Sequence, residues 1–322
     1  MKLYDMVRKY GWEILAVLPS IPNVRAEGNV FFVDSGQTTT GLDAADGEHG
    51  HSWDKPFLTL NFAISQCVAS QGDVILIAPG HAETLSTTAT ESGTTTTEVG
   101  VDKAGISIIG LGTAALRPTF TCSATPGQIA VLAANVTIEN ILMVSSIADL
   151  TDFITVDADS DGCTIRNCEV RDGAIDEEVV AMIDVATTVD DLTIDGCRFF
   201  STDGNDAGLA GIRFAGTGAR AIIKNCLFRG DFNTSCILAT ADTLTDLYIA
   251  DNVFNNYDAA ADYNCISIKT DATGILVRNL LHSGKSTVAG LYAAACMACE
   301  NYCTDAEASS GNICPAAGDW NA

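Results

Sequence analysis

The chain has 322 residues, 41 of them acidic against 17 basic, for a formal net charge of −24. Such a balance offers no basic stripe to displace counterions from a phosphate backbone, so it disfavours nucleic acid as a partner. At 47% hydrophobic and 18% charged the sequence is too apolar for a disordered chain, and no stretch is long and apolar enough to span a membrane.

Residues 1–28 form a segment apart. Lys2, Arg8 and Lys9 precede the apolar run from Trp12 to Leu18, which Glu13 interrupts and Pro19 and Pro22 close; as an export signal it is weak, and Val24-Arg25-Ala26 is a poor cleavage site. Tyr4, Met6, Tyr10, Trp12, Ile14 and Leu15 offer it an apolar face. Two uses fit that face: docking onto a partner, or capping the base of the fold that begins near residue 29. Phe31-Phe32-Val33 then predicts a strand. Leu58 to Cys67 predicts a short helix, with apolar residues at 60, 63, 64 and 67. Val74-Ile75-Leu76-Ile77 predicts the next strand, and the threonine-rich stretch Thr84 to Thr97 an exposed loop or edge strand.

From residue 105 onward one unit recurs, with the pattern Ile-x-Asn-Cys-x-Phe. Its apolar centres fall at 138, 165, 194, 223, 249 and 277, spaced by 27, 29, 29, 26 and 28 residues, and Gly105 to Gly110 begins the series. Each unit holds a second apolar stretch, as in Phe153 to Val156, Met182 to Val185, Gly211 to Phe214, Cys236 to Leu238 and Cys265 to Ile268. Short alternating strands at this period leave no room for a crossover helix, so each must pair with its equivalent one unit away, at about 4.8 Å. Asn140, Asn167, Asn225 and Asn279, with Gly196 and Asp251, recur after the first strand; these residue types tolerate left-handed backbone. The side chains one position later, Ile141, Cys168, Cys197, Cys226 and Leu280, are expected inside, the thiols serving as small core residues. Phe199, Phe200, Phe228, Phe232 and Phe254 are expected as a stacked core stripe rather than a sugar platform.

On this repeat, on the opening Phe31 to Asp34 with Ser52-Trp53-Asp54-Lys55-Pro56-Phe57, and on Gly72 to Gly80, the sequence resembles the right-handed parallel β-helix proteins of the pectate-lyase-like superfamily over about residues 29–282. The resemblance implies an all-β, single-stranded right-handed parallel β-helix solenoid with a short N-terminal capping helix. Residues 1–28 would be the docking or capping segment, 29–290 the solenoid and 291–322 a cysteine-rich C-terminal cap. A further resemblance to phage surface proteins implies a non-enzymatic structural role in a tailed-phage virion, as a capsid decoration, head fibre or tail-spike-like module. The capsid and other virion proteins would be its partners, a homotrimer its assembly, a glycan receptor a further candidate partner, and the virion surface its place. The enzymes of the superfamily imply the alternative, a polysaccharide-degrading lyase, hydrolase or depolymerase; a secreted adhesin-like binding module is the third. The Asn-Thr-Asp, Gly-His-Gly and Arg-Ile-Lys motifs of the pectin-hydrolysing members are absent, and no catalytic residue is assigned.

Two clusters invite metal or redox chemistry. Asp157, Asp159 and Asp161, closed by Gly162, match the start of a calcium loop, although the twelfth position is Cys168 where a bidentate Glu is needed; an acidic turn between rungs is the alternative. Cys296, Cys299, Cys303 and Cys314 suit disulfides, a zinc cap or buried free thiols. Calcium apart, no cofactor is expected. Asp190-Asp191 is an adjacent acid pair whose side chains would face opposite ways if it lay in a strand.

Overall fold

The computed structural model describes residues 28–86, 99–125, 127–174, 177–186, 188–201, 208, 210–239, 244–257, 264–269, 271–283, 291–293, 296–304 and 311–313. The chain is a right-handed parallel β-helix with three long sheets along its length, and Gly218–Ala219 pairs with Leu244–Thr245 in a small fourth one. Within one coil it passes from sheet one (Thr164–Arg166) to sheet two (Glu169–Arg171) to sheet three (Val179–Val185), and returns to sheet one at Thr193–Asp195. Sheets one and two have ten strands each and sheet three has eight; the last pair of sheet two, Asn301–Thr304 with Gly311–Ile313, is antiparallel. No helix among the described residues is long and apolar enough to cross a membrane.

The register explains the repeat. Ile108, Ile138, Ile165, Ile194, Ile223, Ile249 and Leu276 are partners in successive strands of sheet one and are all fully buried. Sheet two carries a parallel inner column, in which the rings of Phe199 and Phe228 stack at 4.3 Å and those of Phe228 and Phe254 at 4.8 Å. Ring separation thus matches strand separation. Phe232 is buried as well, whereas Phe200 points outward.

Between sheets one and two the chain turns on one left-handed residue: Asn140, Asn167, Gly196, Asn225 and Asp251, with φ between 53° and 68°. The last units depart from the expected alignment. Arg278 and Glu300 take the left-handed position, Asn279 is buried, and Leu280 is 50% exposed. The pairing of Ile249 with Leu276 sets this register, and a one-residue slip moves each neighbour to the opposite face. Val277 and Asn279 imitate the repeat one position late, because an apolar residue adjoins Leu276 and an asparagine adjoins the true turn residue.

The corner column therefore reads Ile141, Cys168, Cys197, Cys226, Asn252, Asn279, Asn301. The amides form a ladder. Asn252 Nδ2 donates to Asn279 Oδ1 at 3.0 Å and Asn279 Nδ2 to Asn301 Oδ1 at 2.9 Å, while each Nδ2 also donates to a sheet-one carbonyl one rung back. Their carbonyl oxygens accept backbone N–H groups of Cys226, Asn252 and Asn279 at 2.9–3.1 Å. Each amide is thus bonded through both its nitrogen and its oxygen, which is the condition for burying it without penalty.

At the N-terminal end Val30–Val33 pairs in parallel with Val74–Ile77. The expected helix is α1, Leu60–Gln66, with Thr59 as its N-cap: Thr59 Oγ1 accepts from Phe62 N–H at 3.3 Å. Leu60, Ala63 and Ile64 join Phe31, Val33 and Phe57 in the core, so the helix covers apolar surface that the first strands leave open.

Candidate functional site

The Asp157, Asp159 and Asp161 carboxylates, expected as calcium ligands, are not gathered. Asp157 Oδ1 accepts from Ala158 N–H at 2.7 Å, and Asp161 Oδ1 reaches the next rung, accepting from Asp190 N–H at 2.8 Å. Ser160 turns inward and donates to the Val131 carbonyl at 2.7 Å. No group of three or more His, Cys, Asp or Glu among the described residues is placed to hold a metal ion. The acidic run is a turn that pins one rung to its neighbour. Asp190 and Asp191 also lie in a turn rather than a strand, and both reach one cation: Arg220 Nε meets Asp191 at 2.6 Å, and its Nη2 meets Asp190 at 3.2 Å.

Of the C-terminal cysteines, Cys296 is buried and donates to the Ala272 carbonyl at 3.5 Å, and Cys299 is half-buried; both are free thiols. Cys303 belongs to the strand Asn301–Thr304, with its side chain outside the described residues, as is Cys314. Tyr4, Met6, Tyr10, Trp12, Ile14 and Leu15 also lie outside them. The repeat thiols are core. Burial pushes the Cys163 thiol up to about 12, and burial with neighbouring thiols holds Cys197 and Cys236 well above the ordinary range.

Two constellations emerge that the sequence did not mark. The first lies on sheet three, where Asp152 and Asp184 are 3% and 8% exposed. Arg213 holds Asp184 bidentately, Nε to Oδ1 at 2.7 Å and Nη2 to Oδ2 at 2.8 Å. Asp152 accepts from Thr155 Oγ1 at 2.6 Å, and Gln128 Nε2 donates to Thr155 at 2.8 Å. Burial pushes the Asp152 carboxyl up to about 6, against the Thr155 hydrogen bond. One acid is thus raised by burial while its neighbour is paired with a guanidinium, and two carboxyls in unlike surroundings are what acid–base chemistry on a saccharide uses. The signal was Asp152 as the one charged residue in the strand Leu150–Val156, with the cation of the constellation 61 residues away in sequence.

The second is a groove on the outer face of sheet two. Two adjoining depressions of about 660 and 630 Å³ share Glu169, Arg171 and Arg198. Ala114, Ala115 and Arg117 wall one end; Phe200, Asp172 and Ser201 line the other. Glu169 turns to Arg117 Nη1 at 3.0 Å, with Arg171 at 3.7 Å.

No family model and no curated protein matches this chain. Among solved structures it is similar to a rhamnogalacturonan lyase, at 13% identity and a TM-score of 0.43, over 80% of this chain and 70% of that one.

Proposed function

We propose that the chain is a non-enzymatic structural β-solenoid of a tailed-phage particle surface, as a capsid decoration, head fibre or tail-spike-like module. One observation carries the reading: the recurring residues with reactive side chains, the thiols and amides of the corner column, serve as interior. In this reading residues 1–28 dock onto the capsid through their apolar face and the solenoid assembles as a homotrimer. The test is mass spectrometry of purified particles against culture supernatant. Stoichiometric recovery with particles is expected; recovery in the supernatant alone would overturn the particle assignment.

A second reading, polysaccharide cleavage, is favoured by the Asp152, Asp184 and Arg213 constellation. In it Asp152 is the general acid and Asp184, held in place by Arg213, the base. Depolymerisation of a polysaccharide by the wild type, lost in Asp152→Asn with the fold intact, would establish it; equal cleavage by the variant would remove it.

A further inference from the structure

Three outward columns of the solenoid change character within one rung of each other. On the outer face of sheet one, the column that runs through Thr137, Thr164 and Thr193 continues as Ile222, Tyr248, Ile275 and Met297. The column beside it runs through the charges Glu139, Arg166, Asp195 and Lys224, then continues as Ala250, Val277 and Cys299. Around the corner, one column of sheet two passes from Glu169 and Arg198 to Leu227, Val253, Leu280 and Tyr302.

A sheet face that meets water carries polar residues outward, and the earlier rungs obey this. The last three do not. Met297 and Tyr302 are each 54% exposed and Leu280 is 50% exposed, with Ile275 and Val253 close behind. These are five of the nine large apolar side chains exposed among the described residues, so exposure is concentrated rather than scattered. Ile275 is the register partner of Met297, and Leu280 is the partner of both Val253 and Tyr302. Together they offer on the order of 500 Å² of apolar surface, near the top of what a monomer leaves in water and close to the apolar share of one side of a stable interface, about 800 Å² per partner.

Charge selects the occupant. The chain carries −24, so two copies repel each other over most of their surface. From Tyr248 onward the three columns hold no charged residue, and on the ridge between the two faces Asp251 and Arg278 neutralise each other at 2.7 Å. A partner recruited by charge would settle on the acidic remainder; a copy of the same chain can approach where the acids are missing. We propose that the outer face of sheet one over the last three rungs, with the adjoining column of sheet two, is the contact between copies of this chain. The inference deepens the homotrimer of the particle-surface reading by naming its interface, and it rests on that reading only for the number of copies.

The test is the mass of the full chain in solution by light scattering, one copy being 33.7 kDa. A multiple of that mass is expected, and the assembly should tighten as salt screens the repulsion between copies. Leu280→Glu with Met297→Glu should weaken association by at least about a hundredfold, and Leu280→Ala with Met297→Ala by less. Thr164→Glu, outward on a polar rung of the Met297 column, should leave the mass unchanged. An unchanged circular dichroism spectrum checks the fold of each variant. A dimer lost in the Glu pair would support the surface and overturn the count of three. The particle assignment is read separately, from recovery with particles. A monomer at all concentrations, an assembly indifferent to the Glu pair, equal loss in Thr164→Glu, weakening by salt, or a monomer that binds phosphatidylcholine vesicles would each overturn the proposal.

Discussion

The corner column changes chemistry halfway along. Its first half presents thiols, Cys168, Cys197 and Cys226, whose Sγ atoms lie 3.5–3.8 Å from the sheet-one carbonyls of Ile138, Ile165 and Ile194. Its second half presents Asn252, Asn279 and Asn301, whose Nδ2 atoms donate to the matching carbonyls of Ile223, Ile249 and Leu276 at 2.9–3.0 Å. Position and acceptor are the same, yet the result differs. A thiol is a weak donor that packs as a small apolar group. An amide makes a strong bond to the carbonyl and also bonds the next amide, so the second half is cross-linked along the solenoid axis. The thiol half is held by packing and backbone pairing, the amide half by these and a buried polar chain.

Replacing a residue that both halves share should have the largest effect. Ile223→Asp places a charge between the two halves of the core column and should prevent soluble folding, a loss above roughly 4 kcal/mol; soluble protein with an unchanged melting transition would show that the column is not the core. Breaking the amide half comes next. Asn279→Ala strands the Asn252 amide, the Asn252 backbone N–H and the Ile249 carbonyl. Denaturant unfolding should show a loss of roughly 3–5 kcal/mol.

Asp152 sharpens the comparison as a buried polar group outside any ladder. Its carboxyl is raised to about 6 in the fold from an ordinary 3.8, so between these values the folded state holds a proton that the unfolded state has released. Stability therefore falls as pH rises through this window. Asp152→Asn should stabilise the protein near neutral pH by on the order of 2 kcal/mol and flatten the melting temperature between about pH 4 and 6. The smallest effect belongs to the thiol half: Cys197→Ala should lose only about 1–2 kcal/mol, for lost packing, because no strong hydrogen bond goes with it.

The solenoid was legible because its period repeats the same apolar centre, and registers such as Ile165 with Ile194 derive directly from it. The end of the repeat misleads for a local reason: Leu276 and Val277 are both apolar, and only pairing across the rung chooses between them. The two constellations were illegible because they are columns. Arg171 and Arg198 stand 27 residues apart in the chain, so a sequence scan for a basic stripe passes over them. Asp184 and Arg213 are joined by register in the same way. A fold that stacks its coils converts distant residues into neighbours, and charge patterns on its faces appear once the register is known.

The central claim, that the repeating thiols are interior rather than chemistry, is most directly tested by alkylating the native protein and mapping the modified cysteines by mass spectrometry. Cys163, Cys168, Cys197, Cys226, Cys236 and Cys265 should stay unmodified until the protein is unfolded, since all six are buried free thiols. Rapid modification of Cys197 or Cys226 in the folded state would contradict the account.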